Sequence, residues 1–154
     1  MNITRPEQEL KDALDAFENN LETPIIPGEF GRWSHYLQES WPAVAALVRK
    51  EIQSAHRKQL DEIARQDSEM LAVVKQIQKE DLEIVEELSE VEGMIARLAE
   101  KAPLLERTTG ATQDHAADPL IKRGIDFITR VKTQQVGVRT WLSEAFNRER
   151  GVGD

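Results

Sequence analysis

Cysteine is absent from the 154 residues, which excludes disulfide bonds, thiolate metal ligands and thiol nucleophiles. Aromatic residues make up only 5% of the chain, a composition that favours helices over a β-sheet. No apolar run approaches the roughly 18 residues of a membrane span, and the opening stretch MNITRPEQELKD lacks the apolar core of a signal peptide. We therefore expect a cytoplasmic protein that does not associate with membranes.

Basic residues are fewer than acidic ones, with 20 lysines and arginines against 28 aspartates and glutamates, so the formal net charge is -8. A nucleic-acid partner is not expected, since proteins that bind phosphate backbones are usually basic. The chain also lacks a glycine-rich phosphate loop, G-x-S-x-G, H-E-x-x-H and the Glu-x-x-His spacing of ferritin-type sites. The sequence therefore predicts a protein that is not an enzyme.

Helical periodicity runs through most of the chain, and no stretch shows the alternation of a strand. Thr4, Glu7 and Pro6 form a capping-box start for the first helix. Asp67 is the predicted cap of the third helix, and Asp118 followed by Pro119 predicts the start of the fourth after a long loop. The predicted helices span residues 5–20, 29–64, 68–102 and 118–150.

These helices predict an all-α fold, an antiparallel up-and-down four-helix bundle in a single domain covering residues 1–154. The short ARQD turn makes the second and third helices antiparallel neighbours. Pro42 lies inside the second helix and lacks the amide that would bond the residue four positions earlier. We therefore expect the second helix to be kinked or broken between Gln38 and Pro42.

Asp81 occupies a position that the third helix otherwise reserves for apolar residues. The stripe advances by four and three residues through Met70, Val74, Ile77, Asp81, Ile84, Leu88, Val91, Ile95 and Leu98. Antiparallel pairing across the short turn places Asp81 within one helical turn of His56. The fourth helix brings Gln134 and Gln135 to a similar height, so His56, Asp81 and Gln135 are predicted to form one buried polar layer.

Three interpretations of this layer are open from the residues alone. His56 and Asp81 could bond each other or the glutamine and so fix the helix register. They could instead form a metal or small-ligand site with Glu51, because bundles build such sites from facing helices. In the third case the helix is rotated and Asp81 meets water.

The stretch LDEIARQDSEMLAVVKQIQKEDLEIVEELSEV, residues 60–91, resembles the join between the second and third helices of hemerythrin-like proteins. In that family an E-H-x-E-L segment supplies an iron-binding histidine, and the matching segment EDLEI places Asp81 at the ligand position. The resemblance extends over about residues 30–146 and implies a hemerythrin-like bundle.

The ligand set that the resemblance implies is largely missing. The chain has three histidines in total, and KTQQVGVRT stands where the fourth helix of the family carries ligands. His35 and Glu39 have the spacing of a ligand pair but are predicted to lie on a solvated face, and Glu51 and His56 are five positions apart rather than four. We therefore predict a degenerate member with a lost or reduced metal site and no cofactor, with iron as the alternative.

Three functions are compatible with this sequence. The leading hypothesis is a non-enzymatic interaction or regulatory module of hemerythrin-like shape, and the alternative is an atypical metal-binding or oxygen- or iron-sensing protein. The third is an adaptor that self-associates, so the partner is a protein or a second copy. Two charged surfaces bear on such contacts: an acidic run between Glu80 and Glu92, predicted to be solvated, and a basic patch of Arg49, Lys50, Arg57 and Lys58.

Overall fold

The computed structural model describes the backbone of residues 4–66 and 68–151, and it describes side chains as far as residue 144. Within these residues all regular structure is helical and no strand occurs, so the predicted all-α class is confirmed. No helix in the described part has an apolar stretch long enough to cross a membrane. The helices are α1 (Arg5–Glu22), α2 (Phe30–Lys50), α3 (Arg57–Gln66), α4 (Leu71–Leu105) and α5 (Gly110–Gly151).

Two short irregular segments complete the helical structure. A π-helical segment, Glu51–His56, joins α2 to α3 without a loop, and we call it the π turn. A single 3₁₀ turn, Ser68–Met70, leads into α4. The predicted helix at 29–64 is therefore present as α2, the π turn and α3 in succession, whereas Asp67, the predicted cap, lies outside the described residues.

The helices bury two apolar clusters of unequal size. Helix α1 packs against α2 and α5, and α4 also packs against α2 and α5. These four helices enclose the main cluster. Its largest fully buried side chains include Phe17, Phe30, Phe127, Leu37 and Leu88. Helix α3 packs on α4, and there a smaller cluster is formed by Leu60, Val74, Ile77 and Val138.

The capping box predicted for α1 is present. The Thr4 hydroxyl accepts a hydrogen bond from the Glu7 amide, and the Glu7 carboxylate accepts one from the Thr4 amide. These two bonds satisfy backbone donors that the first turn of a helix leaves without partners. Helix α1 then continues to Glu22, two residues beyond its predicted end.

Of the kink or break predicted at Pro42, the break is wrong, because α2 is continuous from Phe30 to Lys50 with Pro42 inside it, and the kink stays a prediction. Just before Pro42, the Ser40 hydroxyl donates to the Tyr36 carbonyl at 2.9 Å. The chain stays helical across the missing bond because buried apolar side chains hold both sides of it against the core. These side chains are Leu37, Trp41 and Val44.

The start predicted for the fourth helix at Asp118 is also wrong, because α5 begins at Gly110. The Thr109 hydroxyl accepts from the Thr112 amide at 3.2 Å and so caps α5, whose first residue lies eight positions before the predicted start. Asp118 and Pro119 lie inside the helix, where Asp118 pairs with Lys122 at 3.0 Å. Most of the predicted loop is therefore helical.

Side chains at the turn between α4 and α5 also fix the start of α2 and the end of α4. The Glu106 carboxylate accepts from the Gly31 amide in the first turn of α2 at 2.8 Å, although these residues are 75 positions apart. The buried Gln113 amide donates to the Leu105 carbonyl at 2.9 Å and so satisfies the last turn of α4. An anionic side chain at a helix N-terminus also interacts favourably with the helix dipole.

Candidate functional site

His56 and Asp81 meet in the interior, as the apolar stripe of α4 predicted. The exposed fractions of the two residues are 3% and 4%. The His56 Nδ1 lies 3.1 Å from Asp81 Oδ1 and 3.2 Å from Oδ2. A buried carboxylate is costly without hydrogen-bond donors, and the apolar side chains around Asp81 have none. The His56 imidazole provides such a donor. The interpretation in which Asp81 meets water does not describe this arrangement.

The glutamine of the polar layer is Gln134, which corrects the prediction of Gln135. The Gln134 Nε2 donates to Asp81 Oδ1 at 2.8 Å. The Gln135 Nε2 is buried and has no hydrogen-bond partner among the described residues. Consecutive side chains on a helix point about 100° apart, so only one of the two adjacent glutamines can face Asp81. Spacing alone left both at the same height, and the rotation of α5 decides between them.

Glu51 approaches His56 from the other side of the ring. The Glu51 Oε1 lies 3.6 Å from His56 Nε2, and the Glu51 side chain is 18% exposed. Residues five positions apart in an α-helix point about 140° away from each other, whereas the i→i+5 bonding of a π-helix stacks them on one face. The π turn therefore gives Glu51 and His56 the relation that a spacing of four would give in an α-helix.

The presence of a π turn fits the spacing of the stripe residues. From Val44 the stripe advances by four residues at every step, through Val48, Ile52, His56 and Leu60. Each step of four carries an α-helical side chain about 40° past a full turn, so several such steps in series would rotate the stripe away from the core. A wide turn between Ile52 and His56 removes this drift. His56 and Leu60 are both buried as a result.

The polar layer separates the two apolar clusters along every helix that contributes to it. On α4, Asp81 lies between Ile77 of the smaller cluster and Ile84 of the main cluster. On α5, Gln134 lies between Val131 and Val138, which belong to the main and smaller clusters respectively. A polar group that is bonded only in one alignment of the helices penalises a shift of one helix against another.

His56 is cationic in this environment. Burial lowers the pKa of His56, but the hydrogen bonds to Asp81 and then to Glu51 outweigh it and raise the pKa from 6.5 to about 9. Both ring nitrogens therefore carry protons at neutral pH and act as donors. A histidine binds metals through an unprotonated ring nitrogen, so metal binding here would have to displace a proton.

The ligand-type side chains do not converge on one point. Asp81 and Glu51 contact different nitrogens of the His56 ring, so the imidazole stands between the carboxylates. Among the residues described, no group of three or more histidines or carboxylates is arranged to hold a metal ion. His35 contacts Glu39 at 2.8 Å, but each side chain is 62% exposed. His115 is exposed on α5, far along the chain from the polar layer.

The acidic run of α4, predicted to be a solvated face, is partly an interface between helices. Arg130 of α5 contacts both Glu83 and Glu87, and Arg123 contacts Glu90. Burial lowers the pKa of Arg130, but the contacts with the two carboxylates outweigh burial and raise this pKa. Arg123 and Arg130 are seven positions apart and so lie on one side of α5, which is a signal in the sequence for these pairs. To use this signal, one must also know which side of α5 faces α4.

An open groove of about 760 Å³ lies beside the polar layer, between α4 and α5. Its apolar lining includes Ile77, Ile84, Val138 and Trp141, and its polar lining includes Glu80, Glu83 and Arg130. Gln134 lines the groove and also bonds Asp81, so one side chain connects the groove to the buried layer. This groove was not predicted from the sequence.

Comparison of the chain with protein-family models, with curated protein sequences and with solved structures found no match.

Proposed function

We propose that the chain is an antiparallel up-and-down four-helix bundle of hemerythrin-like shape. The pairing of side chains supports this topology. On α5, Arg123 contacts Glu90 and the later Arg130 contacts the earlier Glu83, as expected for antiparallel α4 and α5. Likewise Trp41 donates to Glu92 at 3.1 Å, while the later His56 contacts the earlier Asp81. The similarity of residues 60–91 to the helix join of hemerythrin-like proteins supports the family.

The proposed function is that of a non-enzymatic interaction or regulatory module whose ancestral type of metal site is lost or reduced. One observation carries this proposal: the ligand-type side chains of the interior bond one another. Asp81 accepts hydrogen bonds from His56 and Gln134, and Glu51 faces the second ring nitrogen of His56. Such a layer contributes helix register rather than reactivity, because each polar group already has a partner.

The second candidate function is an atypical metal-binding or oxygen- or iron-sensing protein. The π turn favours it, since this turn brings the Glu51 carboxylate to the Nε2 side of His56. A carboxylate and an imidazole on one helix face are ligands that iron accepts in bundle proteins. Metal would have to replace the His56 proton and recruit further ligands from solvent or from other side chains.

Metal content separates these two functions. We expect protein from a native-like source to hold no stoichiometric metal by mass spectrometry, and anaerobic addition of ferrous iron to leave no tightly bound iron after desalting. Any bound iron should be lost in His56→Gln and retained in His35→Gln, which removes an exposed histidine instead. Two irons per chain with oxo-bridged absorption bands would reject the interaction module in favour of the metal protein.

A further inference from the structure

Three small residues are among those that line the groove between α4 and α5. At Gly137 no heavy atom lies within 4 Å of the position that a Cβ would occupy. Ala72 and Thr133 line the same groove with small side chains. On α4 the lining extends from Ala72 to Ile84, which at 1.5 Å per residue is about 18 Å, or about three helical turns. The groove is therefore as long as a short helix and open at its centre.

Charge around the groove is negative. Glu80 and Glu83 stand on its α4 side, and among the described residues of its lining Arg130 is the only cation. Arg130 contacts both Glu83 and Glu87, so its charge is already more than matched by carboxylates. The Glu80 carboxylate accepts from the Gln76 side-chain amide at 3.4 Å. Because an amide is neutral, this bond does not compensate the negative charge of Glu80. Apolar side chains with an excess of carboxylates above them would complement an apolar and basic ligand.

We propose that this groove binds a basic amphipathic helix of a partner protein. This inference rests on the proposed function as an interaction module and names the class of partner. An amphipathic helix would place apolar residues spaced by three and four over Ile77, Val138 and Trp141. Its lysine or arginine side chains would reach Glu80 and Glu83, and the small residues near Gly137 would allow the two backbones to approach closely.

A second copy of this chain is a poorer occupant of the groove. A two-fold dimer brings the same surface patch of each subunit together. Such a contact would bring the acidic groove of one copy against the acidic groove of the other, and like charges across an interface are unfavourable. The charge of the groove therefore argues for a different, basic partner.

Two synthetic helical peptides of about 14 residues test the proposal, because that length covers the groove with a few residues to spare. Both carry leucine at the same positions, spaced by three and four, with lysine at the polar positions of one peptide and glutamate in the other. We expect the lysine peptide to bind in fluorescence anisotropy and the glutamate peptide not to bind. Amide chemical-shift changes should be concentrated around Ile77, Gly137 and Trp141.

Variants separate the groove from general attraction to an acidic protein. Gly137→Leu fills the groove and Glu80→Lys reverses its charge, and each should weaken the lysine peptide about tenfold. The matched control is Glu86→Lys, which makes the same charge change on an exposed residue of α4 outside the groove and should change affinity less than twofold. Leucine has a higher helix propensity than glycine, so Gly137→Leu should fold, and far-ultraviolet circular dichroism checks this.

Equal binding of both peptides, or no effect of either groove variant, would overturn the proposal. A dimer in sedimentation equilibrium that Gly137→Leu dissociates would also overturn it, in favour of a second copy. Metal content is independent of these results. Protein without metal that fails to bind the lysine peptide therefore rejects the basic-helix partner alone, whereas protein with two irons rejects the proposed function itself.

Discussion

The imidazole of His56 lies between two carboxylates, with Nδ1 3.1 Å from Asp81 Oδ1 and Nε2 3.6 Å from Glu51 Oε1. Asp81 comes from a different helix, 25 positions along the chain, and Glu51 is positioned by the π turn. The cationic ring therefore connects two helices inside a core that is otherwise apolar on both sides. This relation determines how the protein should respond to pH, to deletions in the π turn and to loss of either partner.

Stability should fall as the pH rises past the range in which His56 is charged. The pKa of His56 is raised from 6.5 to about 9 in the folded protein, so its contribution is fully present below pH 6.5 and is lost as pH rises through about 9. We expect the difference in free energy of unfolding between wild type and His56→Gln to shrink over that window. Urea denaturation at a series of pH values measures this difference.

The exposed histidine provides the control for the pH experiment. His35→Gln removes an imidazole that is 62% exposed and paired with Glu39, so this variant should follow the wild-type pH profile. Parallel profiles for wild type and His56→Gln from pH 6.5 to above 9 would show that His56 is not held in its charged form.

Deleting one residue from the π turn should be tolerated. Removing the exposed Gln53 shortens the step from Ile52 to His56 to three residues, and an ordinary α-helix then presents the stripe correctly. We expect a loss of no more than about 1 kcal/mol, mostly from the changed contact with Glu51. Urea denaturation followed by circular dichroism gives the free energy of unfolding.

The matched deletion is that of Gln59, which is exposed in the regular helix α3. Because α3 is a regular α-helix, this deletion rotates the residues that follow it by about 100° about the helix axis. Leu60 then leaves its cluster, and we expect the free energy of unfolding to fall by about 3 kcal/mol or more. If the two deletions lowered the free energy of unfolding equally, the π turn would not be the feature that corrects the rotation of the four-residue stripe.

Glu106 should stabilise the start of α2 from a distant part of the chain. Its carboxylate accepts from the Gly31 amide at 2.8 Å, while Glu29 at the helix start makes no side-chain cap bond. We expect Glu106→Ala to cost about 1 kcal/mol, in the range of other lost helix caps. Glu100→Ala, an exposed glutamate of α4, should cost less than half as much. Equal thermal midpoints for the two variants would show that the Glu106 bond contributes nothing.

The elements that local chemistry specifies were predictable from the sequence. The capping box of α1 needs only Thr4 and Glu7, and the buried position of Asp81 follows from a regular alternation of three and four. The start of α5 was not predictable in this way, because Asp118 and Pro119 form a strong local start signal that the packing of Ala117 and Leu120 overrides.

The composition of the polar layer was only partly predictable. Its height along the helices depends on helix pairing, which the short turn before α4 fixes, so His56 and Asp81 could be brought together. The choice between Gln134 and Gln135 depends on the rotation of α5, and nothing local to those residues specifies it. The π turn did leave a signal, the unbroken series of four-residue steps from Val44 to Leu60.

The most direct test of the polar layer is a double-mutant cycle on His56 and Asp81 in urea. Asp81→Leu alone leaves the buried imidazole without its main acceptor, and His56→Leu alone leaves the buried carboxylate without its main donor, so we expect each single change to cost about 1–3 kcal/mol. Replacing both residues by leucine removes both charges and restores the apolar stripe, which should be neutral or stabilising. We predict a coupling energy of at least about 1 kcal/mol between the two side chains. A coupling energy near zero would contradict the central claim, because it would mean that the pair does not hold these helices together.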